Sequence, residues 1–134
     1  MKRALLAALL GAFIMILAYP TIGWAPMMFV AWAPLLVLAR ELSGPQRLIA
    51  GWTMGFFARM DLFRWIIFSL EEMSGLPEAV GWLALTLFSL WHGLWFGLFL
   101  WLSEPLRRAG EAIRPGLGLL AIPALFVAVE WSGP

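Results

Sequence analysis

The sequence contains no cysteine, one histidine (His92), one lysine (Lys2) and one tyrosine (Tyr19) in 134 residues. Without cysteine there is no disulfide, no thiolate metal site and no cysteine nucleophile within these residues. His92 has no second imidazole beside it, so a metal site would need an unusual set of ligands. Charge is also scarce. Asp, Glu, Lys and Arg make up 13% of the chain against 63% hydrophobic residues, and the mean hydropathy is +0.89. Those values lie far from the composition of a soluble domain. The net charge of +1 does not suggest a nucleic-acid partner. Paired carboxylates occur only at Glu71 and Glu72 in a turn, and no phosphate-binding glycine loop followed by lysine is present.

What remains is apolar sequence in blocks separated by Pro, Gly and charge. A helix crosses the hydrocarbon core with about 20 residues, which allows about five crossings here. The expectation is therefore an all-α membrane protein, a single polytopic domain over residues 1–134 with spans near 4–18, 26–39, 49–70, 80–102 and 117–131. The first run follows Lys2 and Arg3 as a signal peptide would, but Tyr19 and Pro20 stand where a small-x-small cleavage site is needed, so it reads as a retained span. "EEMSGLPE" reads as a turn and "SEPLRRAGEAIRPG" as a polar loop. If the five spans alternate, Lys2, Arg3, Arg40, Arg47, Arg107, Arg108 and Arg114 share one side, and Glu71, Glu72 and Glu78 lie on the other. The basic side is cytoplasmic, which places the N-terminus in the cytoplasm.

The third span raises a question, because "GFFARMDLFRWIIF" puts Arg59, Asp61 and Arg64 near its middle. Each charge at a helix centre costs about 2.5–3.5 kcal/mol on insertion scales, too much for side chains facing lipid alone. Asp61 and Arg64 are three apart and share a face that continues through Phe68 to Glu71. Arg59 lies on another face, with Trp52, Phe56 and Phe63, where its guanidinium can meet aromatic rings. Two arrangements satisfy these residues. Either Asp61 and Arg64 neutralise each other while Arg59 reaches a carbonyl or headgroup, or the stripe lines a wet cavity open to the outer side, with Arg59 and Arg64 suited to a phosphate or polar headgroup. His92, in "LWHGLWFG" among Phe88, Trp95 and Phe99, is either a neutral, hydrogen-bonded bundle residue or a proton relay or ligand. Gly51 with Gly55 and Gly93 with Gly97 form two GxxxG patterns that would let the third and fourth spans approach closely. Glu104, Glu111, Arg107 and Arg108 read as a solvated loop. Glu130 sits at the outer end of the last span, paired with a neighbour or facing water.

Several segments resemble, in order, the membrane part of the apolipoprotein N-acyltransferase family. They are "AYPTIGWAPMMFVAWAPLLVLAR" (Ala18 to Arg40), "GWTMGFF" (Gly51 to Phe57) leading to Trp65 and Ser69, "SGLP" (Ser74 to Pro77) and "PALFVAVEWSGP" (Pro123 to Pro134). The resemblance implies a bacterial inner-membrane protein that holds a phospholipid acyl donor and a diacylglyceryl-lipoprotein acceptor, so that the lipoprotein's N-terminal cysteine is N-acylated. In the family a periplasmic nitrilase-like domain supplies the catalytic Glu, Lys and Cys. None of these carries over, so the chain is expected to be the N-terminal part of a longer protein, with no catalytic residue, cofactor or metal of its own. Arg59, Asp61 and Arg64 depart from the family's apolar third span. Arg59, Asp61, Arg64, Trp65 and His92 are the candidates for lining a lipid-accessible chamber. A different class of function, a small non-enzymatic membrane subunit such as a scaffold or transporter component, fits the same composition.

Overall fold

In the computed structural model, residues 1–20 and 22–132 are described, and the elements among them are all helical. They are α1 (Lys2–Ala18), α2 (Met27–Ala31), α3 (Ala33–Ala39), α4 (Gly44–Leu62), α5 (Trp65–Ser74), α6 (Glu78–Ile113) and α7 (Leu117–Ser132). Helix α4 packs along α6 as the central seam; α1 lies on α4, α2 and α3 fold against α1, and α7 lies along α6. One helix, Glu78–Ile113, is long and apolar enough to cross a membrane by length and composition, and Met27–Ala39 and Leu117–Ser132 are shorter apolar segments.

The expected second span is two short helices. Pro34 has no N–H to continue the ladder, and the chain breaks at Trp32. The expected third span is also broken, and this relocates its charges. Helix α4 starts at Gly44, where the Ser43 N–H donates to Gln46 Oε1 at 3.1 Å and Pro45 occupies the first turn, and it ends at Leu62. At about 1.5 Å per residue its 19 residues span about 28 Å. Arg59 and Asp61 are therefore in its final turn and not at mid-helix. Phe63 and Arg64 form the joint, bridged by short bonds from the Arg64 N–H to the Asp61 carbonyl and from the Ile66 N–H to the Phe63 carbonyl. Helix α5 follows, includes the expected turn residues Glu71 to Ser74, and stops at Gly75, whose φ of 63° is the left-handed conformation of a helix end.

The fourth span is longer than expected. The presumed loop after Leu102 continues as helix to Ile113, through Pro105, because Glu104 bonds Arg107 and Arg108 one turn on and the segment is rich in helix formers. A true turn comes only at Arg114 to Gly116, where Gly116 has φ 85°.

Packing runs on small residues. Helix α1 buries Ala4, Ala8, Gly11 and Ala12 and turns Leu6, Leu10 and Phe13 outward. At the α4–α6 seam the two GxxxG patterns interlock. A Cβ on Gly55 would lie 3.0 Å from the Gly93 Cα, and one on Gly51 would lie 3.0 Å from the Gly97 Cα and 2.5 Å from the Phe96 carbonyl oxygen. No side chain larger than hydrogen fits there without moving backbone. The seam is also pinned by the Trp52 indole, which donates to the Leu90 carbonyl at 3.0 Å.

Candidate functional site: an apolar cavity closed by one ion pair

Where α1, α2, α3, α4, α6 and α7 converge beyond the glycine seam, they leave a cavity of about 570 Å³. Its walls are apolar and aromatic. Trp32, freed to point inward by the break between α2 and α3, lies tilted against Phe96 at 5.0 Å and meets Phe99 and Phe126 edge-on at 4.7 and 5.9 Å. Phe99 and Phe126 in turn meet at 5.3 Å, so α3, α6 and α7 are joined through one aromatic group. Met15 from α1, Tyr19 just after it and Phe29 from α2 line other parts of the cavity.

Two charged residues line this cavity. Arg59 Nη2 donates to Glu130 Oε1 at 3.0 Å, tying the last turn of α4 to the last turns of α7. The guanidinium carbon sits 5.1 Å from the Phe96 ring centre and 5.6 Å from that of Phe63, a cation–π arrangement on both. Arg59 is largely buried, with 16% of its side chain exposed, and Glu130 is 40% exposed, so the pair is wet on the glutamate side. Two buried donors are left over. Arg59 Nε and the Trp32 indole Nε1 have no acceptor among the described residues, and both belong to residues of the cavity wall. An unpaired buried donor is costly, and a bound polar group that accepts from it recovers that cost.

The five candidates named from the sequence are not brought together. Arg59 lines the cavity; Asp61, Arg64, Trp65 and His92 do not. Asp61 is half-buried and Arg64 exposed, and among the described residues neither forms an ion pair. Trp65 is 59% exposed at the start of α5, its ring 6.4 Å from Phe63. The His92 ring lies tilted at 4.1 Å from Phe88 and 5.8 Å from Phe63, and those two rings meet edge-on at 4.8 Å, an aromatic cluster beside the α4–α5 joint. Sequence reasoning did not identify Trp32, Phe126 and the pairing of Glu130 with Arg59. The available signal was a lone carboxylate at the end of an otherwise uncharged apolar helix, which demands a cation from elsewhere.

Further along α6, beyond Phe99, lies a second charged group. Glu104, 4% exposed, accepts from Arg107 Nε and Nη2 at 2.8 and 2.9 Å and from Arg108 Nε at 2.7 Å. The Arg107 hydrogen bonds are the main cause of a carboxyl held down at about 2; burial opposes them, and Arg108 lowers it further. This corrects the reading of these residues as a solvated loop. Among the described residues no three His, Cys, Asp or Glu side chains gather as a metal site would require.

A family model described as the apolipoprotein N-acyltransferase N-terminal domain matches residues 11–133. A search of curated proteins finds no match.

Proposed function

The chain belongs to the apolipoprotein N-acyltransferase N-terminal domain family, and from that premise we propose that it is the lipid-holding membrane domain of such an enzyme, receiving a phospholipid acyl donor and a diacylglyceryl-lipoprotein at the Arg59–Glu130 cavity. The observation that carries this reading is the cavity itself, about 570 Å³ of aromatic and aliphatic wall with a single half-wet ion pair and two unpartnered donors. Acyl chains suit the walls, and ester or phosphate oxygens suit the donors. Bond-making is not assigned to these residues. The sequence has no cysteine, and its single lysine, Lys2, starts α1 whereas Met15 and Tyr19 at the far end of that helix line the cavity.

The domain is read as one polytopic bundle in the bacterial inner membrane, with α1, the α2–α3 pair, α4, α6 and α7 crossing and the N-terminus in the cytoplasm. Small residues inside and large apolar side chains outside, such as Leu6 at 68% and Trp131 at 90% exposure, support that placement. The basic residues at the α1 start, the α3–α4 turn and the end of α6 support the orientation. Arg59 and Glu130 then lie toward the outer face, and α5 with the first turns of α6 forms a hairpin there.

A phospholipid carrying a photoreactive acyl chain tests the cavity. Irradiation in membranes is expected to attach the label to peptides containing Trp32 and Phe126, and Arg59→Leu is expected to reduce it several-fold. Labelling confined to Leu6, Leu10 and Phe13 on the outer surface of α1 would overturn the assignment. The absence of cysteine gives a clean orientation test. Ser74→Cys should react with an impermeant maleimide in intact spheroplasts, and Ser43→Cys only after permeabilisation.

A further inference from the structure

A second cavity, about 340 Å³, lies between α3, α6 and α7 on the far side of Leu36 and Ile122, which also line the first cavity. Its character is different. One end is cationic, formed by Arg40 at the end of α3 and Arg107 on α6, and the rest is hydrocarbon from Ala33, Val37 and Leu119.

Glu104 is in this wall as well, but its carboxylate is used up. Oε2 takes the Arg107 Nε, and Oε1 takes both Arg107 Nη2 and Arg108 Nε. One negative charge against two positive ones leaves the triad cationic, and Arg40 adds another positive charge. Arg40 is exposed and makes no hydrogen bond or ion pair among the described residues. The two-point bond to Glu104 also fixes the plane of the Arg107 guanidinium, so less side-chain entropy is lost when it binds an anion.

Two cations at one end of a cavity, one of them held in place by Glu104, and mainly apolar walls along the rest are the complement of an amphiphile with an anionic head. We propose that Arg40 and Arg107 bind the phosphate of an anionic phospholipid, whose chain lies along Val37 and Leu119, at a site distinct from the Arg59–Glu130 cavity. Glu104 is a positioning residue, acting through Arg107. The site rests on the bundle lying in a bilayer, as read above, and not on which face is cytoplasmic or on what the first cavity holds.

The test is native mass spectrometry of the chain released from nanodiscs containing equal phosphatidylglycerol and phosphatidylcholine. One phosphatidylglycerol is expected to be retained in preference to phosphatidylcholine. Arg40→Gln is expected to reduce its retention at least threefold, and Arg107→Lys, which keeps the charge and loses the fork, by a smaller factor. Arg114→Gln, a basic residue at the same end outside the cavity, is expected to leave retention unchanged. Equal losses for Arg40→Gln and Arg114→Gln would mean general surface attraction and would overturn the site. Displacement of the lipid by millimolar inorganic phosphate, or phosphate binding without retained lipid, would overturn the lipid assignment in favour of a free phosphate. Photolabelling at Phe126 reports only on the first cavity, so failure there leaves this result independent.

Discussion

The two ion-paired groups among the described residues are built in opposite ways. Glu104 receives its three hydrogen bonds from residues three and four places along its own helix. Arg59 and Glu130 are 71 residues apart and meet only because α4 and α7 are both packed on α6. In the proposed orientation Glu104 and its arginines are the inner group, complete once α6 forms, and Arg59–Glu130 is the outer pair, which depends on the whole bundle. The difference extends to saturation. Glu104 is fully satisfied, while the outer pair holds one hydrogen bond and leaves Arg59 Nε and Trp32 Nε1 unpartnered. A locally closed group gives a stable cationic platform; a pair closed by tertiary packing, with donors to spare, is suited to a visiting ligand.

Breaking the seam that positions both groups should have the largest effect. Gly55→Leu would drive a side chain into the Gly93 Cα and the Phe96 side chain. A loss of about 3 kcal/mol or more is expected, from overpacking a helix interface with no room to relax. Denaturation by SDS in mixed micelles checks it, and Ile49→Leu, at an exposed position on the same helix, should be nearly neutral.

The inner group predicts a pH effect next in size. The Glu104 carboxyl goes from the ordinary 4.5 to about 2 in the folded protein. A depressed carboxyl stabilises the fold above its unfolded value and loses that stabilisation as pH falls toward the folded one. That stabilisation should therefore be present at neutral pH and disappear between pH 4.5 and 2. Glu104→Gln should flatten that part of the stability profile. The outer pair should be weaker. A double-mutant cycle with Arg59→Gln and Glu130→Gln is expected to give a coupling of about 1 kcal/mol, the usual scale for interhelical polar contacts in membranes.

The sequence makes the helical class legible through composition and block structure, and it makes the α4–α6 seam legible through Gly51, Gly55, Gly93 and Gly97, since spacing by four is a property of one helix. The family was readable from segment order. The helix ends were harder to read. Polar Ser103 to Arg114 looks like loop until the i,i+3 and i,i+4 pairs from Glu104 are counted, and the break at Phe63 follows no proline or glycine. The cavity was the least legible feature, because Trp32, Phe126 and Glu130 come from separate helices and no spacing rule relates them. Of the five named candidates, Arg59 belongs to it for a reason visible only in three dimensions.

The smallest effect should come from Asp61 and Arg64, the pair that first made the third apolar segment puzzling. Three apart on an unbroken helix, they would share a face and bond, but α4 ends at Leu62 and the joint at Phe63 rotates Arg64 away. The puzzle itself depended on the segment being centred near residue 60. With α4 starting at Gly44, about 28 Å of helix precedes the joint, nearly the thickness of the hydrocarbon core. If α4 crosses as proposed, Arg64 would reach the membrane surface; it is exposed and unpaired among the described residues, so it carries no desolvation cost that a partner must offset. Arg64→Gln is expected to change stability by less than about 0.5 kcal/mol, and its double-mutant coupling with Asp61→Asn to be indistinguishable from zero. A coupling above about 1 kcal/mol would restore the continuous helix and move the charges back to its middle.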